Sequence, residues 1–543
     1  MRPARWALLG LGLLLMGGAL FFRTDKGAAT ALPAPYDRLA RALSTGDRQA
    51  LWVLVREEGY AALVAARALA EDGGLSPAER VRWARFVLEE EGDRARLWAA
   101  RVLEEAGALD EAARLYRAEL LKEQALAGLL GLARRGSQEA VRGLLNARRY
   151  REALAYARDP LLKGRALLGL GRAEEALPYL RGDPRLLGKA LLRLGREKEA
   201  LSSFRSAGAR LEAGRLLVRM GRVGEAIPVL LAAGARGRFE AAGLLEAGDA
   251  DRAVRLYLEL SGEPGVLADD AAFRAWVLAR RRGDGASEHR AYMLLSGGLG
   301  LLAGKPLPPI RVLPPPPAPE GLGVVQALLR AGHGDWALGE AAYRARRAGG
   351  EVRRAWAWVL EALGEPHLAA RYGGPLLRWG TPWREAIFAE AERFGLDPGL
   401  LFAVMRVESA FDPGAVSPTG AKGLFQFTAR TWREVAERLG EREADPFDPR
   451  AAIRFGAYYL AWLKDRFGGD LRLAVLAYNG GPGYVSRGMR TYGNFEDFLR
   501  FQPRDEPREY FAKVWRDYAV YRALANRRPP PPGWLEAVRP RAR

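Results

Sequence analysis

Cysteine is absent from all 543 residues. No disulfide, thiolate metal site, cysteine nucleophile or lipidated N-terminal cysteine is therefore available. Histidine is nearly absent: His289, His333 and His367 are scattered along the chain. That distribution argues against a Ser-His-Asp triad or a His-rich metal site, and no metal or cofactor is expected. Acidic residues are the scarcer charge, 65 Asp and Glu against 84 Lys and Arg, for a net charge of +19. Such an excess points to an anionic partner. No zinc finger, homeodomain-like segment or RNP-type strand accompanies it, so nucleic acid is not the expected one. With 49% apolar and 27% charged residues the composition is globular, and the length calls for several domains.

The N-terminus carries Arg2 and Arg5 and then an uncharged run from Trp6 to Phe22. This reads as a signal peptide or a short membrane anchor within residues 1–31, and it implies export across a membrane. From 32 to 304 the apolar residues recur at three- and four-residue spacing, one helix after another. A repeat runs through this stretch. Ala153, Ala176, Ala200, Ala226 and Ala253 occupy equivalent places, with an earlier member at Ala112. Glycines 171, 195, 221 and 248 fall where a helix would be capped. The spacing, 23 to 27 residues, is shorter than the ~34 of a tetratricopeptide unit. Stacked helical hairpins of this kind form a TPR-like solenoid, or superhelix, suited to holding a partner or a polymer.

Residues 305–320, "KPLPPIRVLPPPPAPE", are too proline-dense for helix and read as a stiff linker. A helical stretch, 321–374, precedes a last domain, 375–526, richer in Tyr, Phe, Trp, Gly and Asn. A basic Pro/Arg-rich tail, 527–543, follows.

The last domain holds the candidate chemistry. Asp397 and Pro398 mark a helix start, and Leu401, Val404 and Met405 share a face with Glu408 near its end. Burial of that face and the negative end of the helix dipole would both raise the pKa of Glu408. A glutamic acid protonated near neutrality is what a general acid needs to cleave a glycosidic bond. The loop that follows, with Ser417, Gly420, Ala421 and Gly423, offers little bulk and much backbone, and Gln426 supplies both donor and acceptor. Asp412 directly precedes Pro413 and reads as a local turn residue rather than a second carboxylate. Tyr478 and Asn479 stand at another helix end; Glu506, Arg508 and Tyr510 come later.

Glu408-Ser409-Ala410-Phe411, Ser417, Gly420-Ala421-Lys422-Gly423-Leu424-Phe425-Gln426 and Thr431 resemble the signature of the soluble lytic transglycosylases. Asp448-Pro449, Ile453, Gly456, Tyr459-Leu460 and Ala477-Tyr478-Asn479-Gly480 continue it in order, and Glu506 to Tyr510 resembles its closing element. The large members of that family also place a helical superstructure before this domain. Departures are Phe425 for Met, Thr428-Ala429 for Met-Pro, Ala452 for Asn and Pro507 for Thr.

The resemblance implies an all-α chain, the superhelix followed by a lysozyme-like α-helical catalytic domain. It implies cleavage of peptidoglycan between N-acetylmuramic acid and N-acetylglucosamine in the periplasm or cell envelope. Glu408 would protonate the glycosidic oxygen and then act as base, closing the C6 hydroxyl of muramic acid onto C1 as a 1,6-anhydro end. The substrate's acetamido group and hydroxyl replace the second carboxylate of ordinary glycosidases. Tyr478 would lie near Glu408; Ser417, Gly423, Phe425, Gln426, Asn479, Glu506 and Tyr510 would hold substrate or support the loop. Partners implied are glycan strands and wall-synthesis or division proteins on the superhelix, with membrane contact only through residues 6–22. Two alternatives stay open: a hydrolytic muramidase of the goose-type-lysozyme kind, and a non-catalytic wall-binding scaffold.

Overall fold

The computed structural model describes residues 31–57, 59–119, 123–265, 267–310, 314–417, 419–502, 504–524 and 531–538. The N-terminal apolar run lies outside them. Helices account for the regular structure, with no strand among the described residues and only two isolated bridges, Val416 to Lys422 and Lys422 to Phe427. None of the described helices is long and apolar enough to cross a membrane.

The chain divides into two compact units that both draw on distant segments. One gathers Met1–Gly143, Pro309–Tyr458 and Val520–Arg543; the other gathers Leu144–Pro308 and Tyr459–Ala519.

In the second unit the repeat is a run of helix pairs. Asp159 and Asp183 cap helices Pro160–Gly169 and Pro184–Arg193 through their carboxylates, each with proline in the first turn. Gly171, Gly195 and Gly221 adopt left-handed φ values of 80°, 74° and 75° between the members of a pair. Gly248 does not, because helix Gly234–Leu245 ends through right-handed Glu246 and the Asp249 carboxylate caps the next helix. All six repeat alanines, from Ala112 to Ala253, are fully buried.

One core runs from Leu191 through Phe204, Leu217 and Leu230 to Ala241, so neighbouring pairs share it. Glycines inside helices make room for it. A Cβ on Gly188 would come 2.7 Å from Phe204, and one on Gly214 would come 2.6 Å from Leu230. Exposed Arg172–Glu175, Arg196–Glu199 and Arg222–Glu225 pairs mark successive turns.

In the first unit, the hydroxyl of Tyr36 donates to buried Glu340 at 2.7 Å, and Arg344 Nε donates to the same carboxylate. Burial and the Glu340 carboxylate together push the Tyr36 phenol far up. The described part of the proline-rich segment has no helix, yet it is tied down. Trp534, in the 3-10 turn Gly533–Ala537, donates from Nε1 to the Pro316 carbonyl at 3.0 Å.

Candidate active site

Helix Pro398–Ser409 starts as the sequence indicates, with Asp397 accepting from the Gly399 amide at 2.8 Å and Pro398 in the first turn. Its burial is more complete than a single apolar face. Gly399 through Met405 are all buried, which makes this a central helix of the first unit. Phe402 stacks on Tyr521 at 5.4 Å, and the Tyr521 hydroxyl donates to the Gly380 carbonyl. Glu408 lies one turn beyond the buried stretch and is half-buried, at the point where the helix emerges.

The chain then leaves the helix through two non-glycine residues in left-handed conformation, Ala410 at φ 50° and Phe411 at φ 71°. Phe411 is fully buried, and that packing holds the turn. Among the described residues five non-glycines have positive φ, and Ala410, Phe411 and Gln426 are three of them. Side chains other than glycine disfavour this region by about 1–2 kcal/mol each. Such strain persists only where the surroundings over-determine it, and it gathers at functional sites.

The loop is held by its own polar groups. Asp412 accepts from the Gly414 amide at 2.8 Å, the local turn its sequence context indicates. Half-buried Ser417 accepts from the Ala421 amide at 3.0 Å, and its hydroxyl meets that of Thr419 at 3.1 Å. Gln426 donates from Nε2 to the carbonyls of Ala415 and Gly423, at 3.1 and 2.9 Å. Both of its amide donors therefore clamp the loop. Gly423 has φ 71°, and a Cβ there would come 2.0 Å from the Pro446 carbonyl oxygen. Phe425 is fully buried, its ring filling the space a Cβ on Gly456 would need. An open hollow of about 800 Å³, lined by residues such as Glu437, Arg442, Asp448 and Arg454, contains none of the nine candidates.

The remaining candidates belong to the second unit. Tyr478 is half-buried and Asn479 exposed at the end of helix Leu471–Gly480. The Tyr478 ring meets Tyr459 edge-on at 5.5 Å and lies parallel to buried Tyr510 at 6.3 Å. Glu506 is exposed, whereas Arg508 is buried and paired with Asp270. The nine candidates thus form two groups: Glu408, Ser417, Gly423, Phe425 and Gln426 in one unit, and Tyr478, Asn479, Glu506 and Tyr510 in the other.

Arg508 and Asp270 carry more structural weight than the sequence reading gave them. The available signal for Asp270 was a carboxylate on the apolar stripe of "ADDAAFRAWVLA". No groups of His, Asp and Glu suited to holding a metal ion occur among the described residues.

Residues 385–501 match the Transglycosylase SLT domain family. The match takes in Glu408, Ser417, Gly423, Phe425, Gln426, Tyr478 and Asn479. The chain is 31% identical over 158 residues to membrane-bound lytic murein transglycosylase C of Serratia proteamaculans, covering 24% of this chain and 44% of that one. It is 30% identical over 150 residues to the Yersinia pestis protein of the same name, covering 23% and 42%. The chain therefore spans less than half the length of these curated relatives. The crystal structure of the 70 kDa soluble lytic transglycosylase of Escherichia coli superposes with a TM-score of 0.51 at 16% identity, over 91% of this chain and 96% of that one. That likeness bears on fold alone. With it the fold class is an all-α superhelix with a lysozyme-like helical domain.

Proposed function

We propose that this SLT protein is a lytic transglycosylase of the cell envelope, cleaving peptidoglycan between N-acetylmuramic acid and N-acetylglucosamine and leaving 1,6-anhydro ends. The observation that carries the reading is Glu408, half-buried where a helix buried from Gly399 to Met405 emerges, and followed at once by a strained loop within the SLT domain. A carboxyl with apolar neighbours behind it and the negative helix end beneath it is disposed to hold a proton until a glycosidic oxygen arrives. The same group then takes the proton of the C6 hydroxyl as that oxygen closes on C1. Ser417, Gly423 and Gln426 keep the loop in shape, and Phe425 supports it from the core. Tyr478, Asn479, Glu506 and Tyr510 serve as glycan-side or supporting residues.

In this reading residues 1–31 direct export, 6–22 are a signal or anchor, 32–304 the superhelix, 305–320 a linker and 375–526 the catalytic domain. The excess of positive charge favours the carboxylates of peptidoglycan stems, and the superhelix is the surface for wall-synthesis or division proteins.

The test is mass analysis of purified peptidoglycan digested by wild type and by Glu408→Gln. Anhydro ends with wild type and none with the variant are expected. Reducing ends instead would make the protein a hydrolytic muramidase, and equal turnover by the variant would remove Glu408 from the chemistry.

A further inference from the structure

In the second unit, helix Asp505–Leu524 begins with a guanidinium that has almost no contact with water. Arg508 is 2% exposed. It donates from Nε and Nη2 to the two oxygens of Asp270, at 2.7 and 2.6 Å, and from Nη2 to Asp505 at 2.8 Å. Asp270 is 5% exposed and belongs to helix Ala268–Arg282 of the repeat region. Two-point pairing of this kind fixes orientation as well as distance.

Three further contacts hold the same surfaces in register. Arg500, 1% exposed, donates at 2.9 Å to Glu246, which also accepts from the Tyr257 hydroxyl. Arg236 pairs with Asp505 at 2.6 Å. A Cβ on Gly298 would come 2.0 Å from the Ala512 carbonyl oxygen, so the two backbones touch there. The charges alternate in direction, with carboxylates of the repeat region meeting arginines in two pairs and an arginine meeting a carboxylate in the third. A one-turn slip of the helix would leave buried charges facing the wrong partners.

The same short stretch of helix carries the aromatic group of the candidate site. Pro507 lies 3.4 Å from where a Cβ on Gly480 would stand, and Tyr510 is parallel to Tyr478. From the repeat region the path is continuous: Asp270 holds Arg508, and Arg508 sets the helix start. Pro507 and Tyr510 then bear on the end of the helix carrying Tyr478 and Asn479.

We propose that Asp270 is a positioning residue for the reaction, and that the repeat region acts as the seat of the Tyr510–Tyr478 stack. The reaction part of this rests on the transglycosylase reading above. The seat part does not.

The experiment uses the full chain with 3-fluorotyrosine placed at position 510, as wild type and as Asp270→Asn. Circular dichroism sets a temperature at which both are folded. Asp270→Asn is expected to move the fluorine resonance and to lower kcat on purified peptidoglycan about tenfold or more, with KM changed less than about twofold. Should Asp270→Asn not fold, Arg508→Lys, which keeps the charge and loses the two-point geometry, is judged by the same two readouts. An unmoved resonance, or an unchanged kcat in a folded variant, overturns the proposal. Wild type without any cleavage would sink the transglycosylase reading alone, and the resonance would still decide whether Asp270 seats the ring.

Discussion

The repeat region and the loop from Ala410 to Phe427 solve opposite problems. In the repeats most local choices agree with the fold: Asp-Pro starts, left-handed glycines at three of the turns, buried alanines at the six repeat positions and exposed Arg–Glu pairs at the corners. Agreement across levels of this kind is what makes a chain foldable. In the loop, Ala410, Phe411 and Gln426 take conformations their side chains disfavour, and the shape is kept by Gln426, Ser417 and a buried Phe411. The lesson is that regular stacking is cheap to encode, whereas a fixed site is held by a few long-range contacts that work against local preference.

The largest test of that contrast is Glu408→Gln. Loss of a general acid should reduce turnover by about 10²- to 10⁴-fold, with the melting temperature unchanged, as read by product release and calorimetry. A melting temperature that falls with activity would show Glu408 to be structural.

Next comes a matched pair of added methyl groups. Gly423→Ala meets both an unfavourable φ of 71° and the Pro446 carbonyl, so a loss of about 3 kcal/mol is expected. In the repeats, Ala200→Leu overpacks a site that is fully buried and should cost about 1–3 kcal/mol. Denaturant unfolding compares the stabilities, and the glycine variant should lose activity well below its unfolding midpoint. Equal behaviour of the two would erase the distinction.

Acid offers a smaller effect. Burial opposes the charge on Asp505, but hydrogen bonds from Arg236 and Arg508 outweigh it and hold the carboxyl below its ordinary range. A carboxylate depressed in the folded state adds stability above its ordinary pKa and loses it as pH falls through the folded value. Hydrogen exchange should therefore show residues 505–519 loosening as pH drops below about 4. Protection that stays constant from pH 6 to pH 3 would exclude this role for Asp505.

The smallest effect should come from Arg172→Ala. Its pair with Glu175 is exposed on both sides, and thermal unfolding should show no resolvable change in midpoint.

Much of the chain was readable in advance. The period of 23 to 27 residues, the repeat alanines and the helix start at Asp397 are local or near-local features. The arginine excess was harder to interpret. Many of those arginines are engaged within the fold, such as Arg215 with Glu240 and Arg238 with Glu263, each pair 25 residues apart in the chain. Phe425 illustrates another limit. Its departure from the family pattern drew attention, but only packing against Gly456 shows that its ring is core. Gln426 offered donors and an acceptor on paper, and the fold commits both donors to loop carbonyls.

The sequence by itself determined an all-helical chain, the phase of its repeat and the glutamate at the end of an apolar helix. Each depends on periodicity and capping, which act over a few residues. Only the tertiary structure decided that residues 399–405 are buried all round, that Gln426 is a clamp, and that Arg508 finds Asp270 across 238 residues. A buried charge must find an opposite charge, but nothing local says which one. That choice is made where distant helices pack.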